Sequence, residues 1–126
     1  MPQPPIILYV EDDHFVRDAV AGLLKAAGFV IESFSTAEEF LRRGRPDEAS
    51  CLIFDVKLPG MSGLQLQSHL IASVYHIPTI FVTSHSDEPL RRAALNAGAV
   101  CFLSKPVANK ELLSCIRTAL SPSKND

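Results

Sequence analysis

Four short segments hold the residues best suited to chemistry. Glu11-Asp12-Asp13 places three carboxylates directly after the apolar run Ile6-Ile7-Leu8-Tyr9-Val10. Asp55 closes Cys51-Leu52-Ile53-Phe54, Thr83-Ser84 follows Thr79-Ile80-Phe81-Val82, and Ser104-Lys105-Pro106 follows Val100-Cys101-Phe102-Leu103. Carboxylates crowded together outside bulk water repel one another, and a hard divalent cation relieves that repulsion. Mg²⁺ fits, because it is held by one or two carboxylates together with waters and phosphate oxygens. Phosphoryl transfer asks for little more than an in-line nucleophile, a metal and fixed positive charge on the equatorial oxygens. Asp55 has the chemistry of an aspartyl-phosphate nucleophile. Lys105 is a compact point charge, and Thr83 offers a hydroxyl to a phosphoryl oxygen.

Taken singly, each of these residues has an ordinary reading. Acidic residues after a strand often cap the next helix, and Asp13 fits that description. Asp55 precedes a loop with Pro59 and Gly60 and reads as a turn residue. A lone Thr83 reads as a cap and a lone Lys105 as a solvated surface charge. Their joint placement at the ends of four apolar runs favours a site.

The elements that must position them alternate along the chain. Apolar or β-branched runs near Ile6–Val10, Phe29–Ile31, Cys51–Phe54, Thr79–Val82 and Val100–Leu103 read as strands. Between them lie helical patterns. The first carries Phe15, Val16, Ala19, Val20, Leu23, Leu24 and Ala27 and closes at Gly28. The second opens at Ser35-Thr36 with Glu38-Glu39 behind it, a cap signal. The third carries Leu64, Leu66, Leu70, Ile71 and Val74. The fourth starts at Asp87-Glu88-Pro89 and stops at Gly98, and the fifth is capped by Asn109. Strands 1, 3 and 4 are continuously apolar, as strands are when helices cover both faces of a parallel sheet. Five βα units joined by right-handed crossovers make an α/β, doubly wound sheet, whose ligands bind beyond the strand C-termini.

The segments ILYVEDD, LIFDVKLPGMSGLQL, PTIFVTSHSD and GAVCFLSKP resemble the receiver domain of bacterial response regulators, over nearly the whole chain. The resemblance implies a flavodoxin-like five-stranded parallel sheet in the order 2-1-3-4-5 with five helices, a receiver over residues 1–120 and a polar tail over 121–126. It implies a phosphoryl group taken on Asp55 from a sensor histidine kinase or phosphotransfer protein. Mg²⁺ would be bound by Glu11, Asp12, Asp55 and the backbone carbonyl of Lys57, with Lys105 on the phosphoryl group. The acidic pair aligns as Glu11-Asp12, because Val10 ends the strand and Arg17 falls at the family's usual helix position; Asp13 is then a neighbour. Thr83 and Phe102 would be the switch pair, the ring filling space that the hydroxyl vacates. Lys57 and His85 flank the attacking-water path and would tune the lifetime of the phosphoryl group. Lys105-Pro106 matches the family's cis peptide. Two residues depart from the commoner pattern: Phe102 stands for tyrosine, and Glu11 for the aspartate of some members.

The output surface in this family is usually helix 4, strand 5 and helix 5, here Glu88 to Ala97 and Val100 to Leu120. SGLQLQ and VTSHSD look most like receivers that precede a helix-turn-helix domain. The expected output is therefore transcription through a DNA-binding domain outside this chain, with a homodimer as one phosphorylated form. The alternatives are a single-domain regulator that docks on a partner, and a degenerate receiver that is not phosphorylated. The set Asp12, Asp55, Thr83 and Lys105 argues against the last. Enzymatic activity is expected to stop at Mg²⁺-dependent self-phosphorylation and autodephosphorylation.

Composition narrows the rest. At 126 residues, 47% hydrophobic and 21% charged, the chain fits one domain with a real core. A net charge of −2 gives this domain no bulk affinity for nucleic acid or anionic membrane. No apolar run approaches the ~20 residues of a membrane span, and the N-terminus lacks a basic signal-peptide region. Three cysteines without a CxxC read as buried free thiols of a reducing cytoplasm. A flavin binder of the same architecture would need a Gly- and hydroxyl-rich phosphate loop where the acidic run stands. An Asp-dependent phosphatase would need Asp at the place of Glu11 and a cap domain.

Overall fold

The computed structural model describes residues 4–84 and 88–121. Strands and helices alternate: β1 (Ile6–Val10), α1 (His14–Ala26), β2 (Val30–Phe34), α2 (Ala37–Arg43), β3 (Cys51–Asp55), α3 (Gly63–Ala72), β4 (Thr79–Thr83), α4 (Glu88–Asn96), β5 (Cys101–Ser104) and α5 (Asn109–Leu120), with a 3-10 turn at Pro46–Glu48. Every strand pair is parallel, and the sheet order is β2-β1-β3-β4-β5. The doubly wound architecture expected from the continuous apolar runs is the one observed.

Side-chain alternation along the strands splits the core in two. Leu8, Val10, Leu52, Phe54 and Phe81 face one side, with Phe40 of α2, Leu66 and Leu70 of α3 and Ala94 of α4. Phe34, Phe40, Phe54 and Phe81 form a run of edge-to-face rings there, with centroids 5.4, 5.5 and 6.2 Å apart. Ile7, Tyr9, Ile53, Ile80 and Val82 face the other side with Leu24 of α1 and Leu112 and Ile116 of α5. β3 and β4 are buried at every position, as central strands covered on both faces must be.

The caps explain where the helices begin and end. Asp13 accepts from the amides of Phe15 and Val16 and starts α1. Thr36 starts α2, while Glu39 reaches back to the amide of Ser35 at 2.7 Å. Ser62 and Gln65 form a reciprocal capping box on α3. At the other end, α1, α3 and α4 close in the same way. The amides of Phe29, Tyr75 and Ala99 return to Leu24, Leu70 and Ala94, and a left-handed residue precedes each. That residue is Gly28 (φ 98°), Val74 (φ 68°) and Gly98 (φ 101°).

Several expectations shift. The second strand is Val30–Phe34 rather than Phe29–Ile31, because Phe29 belongs to the closing turn of α1. Val74 lies beyond α3, not on it. Asn109 is the first helical residue of α5 and not its cap; Ala108 holds that position without a side-chain bond. The expected helix start at Asp87 lies outside the described residues, and the helix is seen from Glu88. All three cysteines are free, but only Cys51 is fully buried; Cys101 and Cys115 are half-buried. Burial pushes the Cys51 and Cys115 thiols up to about 12, far from reactive thiolates. The Lys105-Pro106 peptide is cis.

Candidate functional site

Parallel register levels the C-terminal ends of the strands. Val10 sits beside Phe54, Asp55 beside Val82, and Thr83 beside Ser104. The residues just past those pairs therefore share one rim. The Glu11 amide donates to Phe34 at 3.0 Å, extending the β1–β2 pairing by one step. Its side chain is fully buried, Asp55 is 4% exposed and Thr83 is fully buried. Asp12 stands exposed at the mouth.

Lys105 binds the rim together. Its Nζ lies 2.6 Å from Glu11 Oε1 and 2.6 Å from Asp55 Oδ2. The second oxygen of each carboxylate is taken by the backbone: Glu11 Oε2 accepts from the Asp13 amide at 3.1 Å, and Asp55 Oδ1 accepts from the Lys57 amide at 3.0 Å. Both acids are thus fixed in orientation by one ammonium and one amide. The Lys105 amide donates to Thr83 O at 2.8 Å, seating the loop after β5 against β4. Burial raises the Glu11 carboxyl above its usual range, against the opposing pull of Lys105 and the Asp13 amide. Burial alone would depress Lys105, but its bonds to Asp55 and Glu11 outweigh that and hold the ammonium above its ordinary range.

Carboxylate oxygens of Glu11, Asp12 and Asp55 lie within 4.8 Å of one another. Such an all-oxygen donor set, with one member open to water, suits a hard cation such as Mg²⁺ or Ca²⁺ and not a thiophilic one. Asp13 is not part of it; its side chain is committed to capping α1. The Lys57 side chain is exposed. Phe102 is half-buried on the α2–α4 side, opposite Phe81 on β5. Thr83, two residues past Phe81, shares that face and is the diagonal neighbour of Phe102. His85 lies outside the described residues.

Three residues that support the rim were not singled out as functional by composition. Arg17 donates from its guanidinium to the Glu11 carbonyl at 2.8 Å, bracing the acidic loop from α1. Tyr9 is buried beneath Glu11, and its phenol is pushed well up by burial and by the neighbouring Glu11 and Asp55 charges. Gly63 packs so closely that a Cβ there would collide with the Asp55 carbonyl oxygen, so only glycine lets α3 start under the end of β3. A Ser-Gly pair in a loop was the signal for Gly63; an aromatic inside a strand gave none for Tyr9.

Comparison with known proteins agrees with this geometry. The response regulator receiver domain family matches residues 7–117. The chain is 43% identical to Nodulation protein W of Bradyrhizobium diazoefficiens over 114 residues, 90% of this chain and 50% of that protein. It is 35% identical to the transcriptional regulatory protein FixJ of Azorhizobium caulinodans over 123 residues, 98% of this chain and 58% of that one. The solved structure of the response regulator StyR superposes with a TM-score of 0.86 at 42% identity, covering 94% of this chain and 60% of that one. The chain thus spans about half the length of the curated relatives it matches. Among the described residues no helix is long and apolar enough to cross a membrane. On its sequence and its fold alike, the chain belongs to the response regulator receiver domain family, the signalling domain of two-component systems.

Proposed function

We propose that this receiver takes a phosphoryl group on Asp55 and passes the event to its α4–β5–α5 surface. The observation that carries the reading is the placement of the buried Asp55 carboxylate 2.6 Å from the Lys105 ammonium and within 4.8 Å of the carboxylates of Glu11 and Asp12. Bound Mg²⁺ would supply charge neutralisation at the phosphoryl oxygens, held by Glu11, Asp12, Asp55 and the Lys57 carbonyl. Asp55 forms the new O–P bond as the N–P bond to the donor histidine breaks, and the imidazole leaves with the electron pair. Lys105 then exchanges Asp55 Oδ2 for a phosphoryl oxygen. Thr83 turns its hydroxyl to the same group, and Phe102 fills the space left behind. The phosphoryl group shifts the population toward this arrangement only through contacts that the arrangement makes better. Lys57 and His85 set access for the hydrolytic water.

The donor is a histidine kinase or phosphotransfer protein, which places the domain in the cytoplasm. The receiver occupies residues 1–120, with 121–126 as its tail. The relatives' extra length and the name of the FixJ relative favour transcription as the output, through a domain outside this chain and by way of a homodimer. Docking of the receiver alone is the second reading.

The test is intact mass after incubation with acetyl phosphate, with and without Mg²⁺, on wild type and Asp55→Asn. A single phosphoryl adduct that needs Mg²⁺ and is absent from the variant supports the assignment. An adduct of equal yield in the variant, or none in either protein, overturns it.

A further inference from the structure

The end of the sheet opposite the acidic rim holds a cavity of about 610 Å³. Its floor is the start of β3 and β4, at Leu52 and Thr79, with Val100 just before β5, and its walls include Gln67 and Tyr75. Because every crossover runs back against the strands, α3, α4 and α5 all end here; Ile71 and Ala119 in the last turns of α3 and α5, and Ala97 directly after α4, stand on the lining. Three helix C-termini bring carbonyl oxygens and the negative ends of three helix dipoles to one place.

The nearby hydroxyls are already committed, and backbone amides close the ends of α3 and α4. The Thr79 hydroxyl donates to Ile77 O at 2.9 Å, Thr118 to Ser114 O at 3.1 Å, and Ser121 to Arg117 O at 2.8 Å. No Lys or Arg stands among the described lining residues, where His76 is the one basic side chain. Gln67, on the same wall, is 5% exposed. Its Nε2 reaches Ala97 O only at 3.5 Å, and its Oε1 has no partner among the described residues. Buried amide oxygens are rarely left so, and such an orphan calls for an explanation. The cavity is apolar in most of its walls, and Gln67 Oε1 stands in it as a buried acceptor with no partner among the described residues.

We propose that this cavity is a binding site for a small organic ammonium: an apolar alkyl or aryl body carrying a primary –NH₃⁺. The body would lie against Leu70, Val100 and the Tyr75 ring. The ammonium supplies the N–H donor that Gln67 Oε1 lacks among the described residues, with charge of the sign that helix C-termini favour. A volume in the range of ordinary ligand pockets accommodates such a molecule. The site lies at the far end of the strands from Asp55, and it borders the end of α4 and the start of β5.

Amide NMR of the whole chain in saturating Mg²⁺, titrated with phenethylammonium, tests this. The metal keeps the cation out of the acidic rim. Saturable shifts are expected at Ile71–Ile77, Ala97–Val100 and Thr118–Ser121. The neutral 2-phenylethanol should bind about tenfold more weakly, and phenylacetate more weakly still. Gln67→Met, which keeps the side-chain shape, should weaken the ammonium about tenfold while leaving the remaining spectrum in place. Equal affinity for the alcohol overturns the proposal without any variant. So do shifts confined to the Glu11–Asp55 rim, undiminished binding by a folded Gln67→Met, or no saturable shifts at all.

Discussion

Lys105 answers two carboxylates with one charge, and both acids face it from inside the protein. Its removal leaves Glu11 and Asp55 with no cation between them. Lys105→Ala should therefore lower the unfolding free energy by about 2 kcal/mol in metal-free buffer, less than a fully buried pair would lose, because the lysine is partly open to water. Urea denaturation measures this, and Mg²⁺ should recover much of the difference by replacing the lost charge. The same variant should still take up the metal but lose the response of the α4–β5–α5 surface to phosphorylation. Glu11, Asp55, Thr83 and Lys105 were legible in the sequence because each follows an apolar run, and parallel strands bring such ends together. Arg17 and Tyr9 were harder to read. A helix surface arginine and an aromatic strand residue look the same whether or not they brace an acidic loop.

The helix ends hold two further consequences. Val74 occupies the left-handed position that glycine fills after α1 and α4, and it is 78% exposed, so its side chain returns little packing. A β-branched residue there costs about 1 kcal/mol of backbone strain. Val74→Gly should raise stability by about that amount in denaturant titration, the reverse of the usual effect of a glycine. Glu39, at the start of α2, is held below the usual carboxylate range first by the Ser35 amide, then by the Ser35 hydroxyl and Arg43. A depressed folded value stabilises above the unfolded pKa and is lost as pH falls through the folded one. Glu39→Ala should thus cost about 1 kcal/mol near neutrality, and the gap from wild type should close as the solution becomes acidic enough to protonate the carboxyl. The elements were legible wherever pattern and local chemistry agreed, as in β1, β3 and β4. They were misplaced where the chain closes a turn by backbone bonds alone. Phe29 looks like a strand residue but completes α1, and Asn109 has the side chain of a cap but not the position.

Across the molecule, the acidic rim draws on two strands, β1 and β3, which are distant in the chain and meet only in the folded sheet. A cation held there binds the native state and not the unfolded chain. Its affinity therefore adds to stability by mass action, about 2.7 kcal/mol at a hundredfold excess over its dissociation constant. Thermal unfolding in Mg²⁺ against EDTA should show a rise of several degrees, and Asp12→Asn should diminish it. A local site would slow amide exchange only nearby; here β1, β3 and β4 should slow together. The contact between Lys105 and Glu11 spans 94 residues of chain, and contacts of such separation close late in folding. A nascent chain leaving the ribosome carries Glu11, Asp12 and Asp55 long before it carries Lys105. Until β5 has docked, those acids lack the ammonium that answers them, so an unfinished polypeptide has the charges of the rim without their balance.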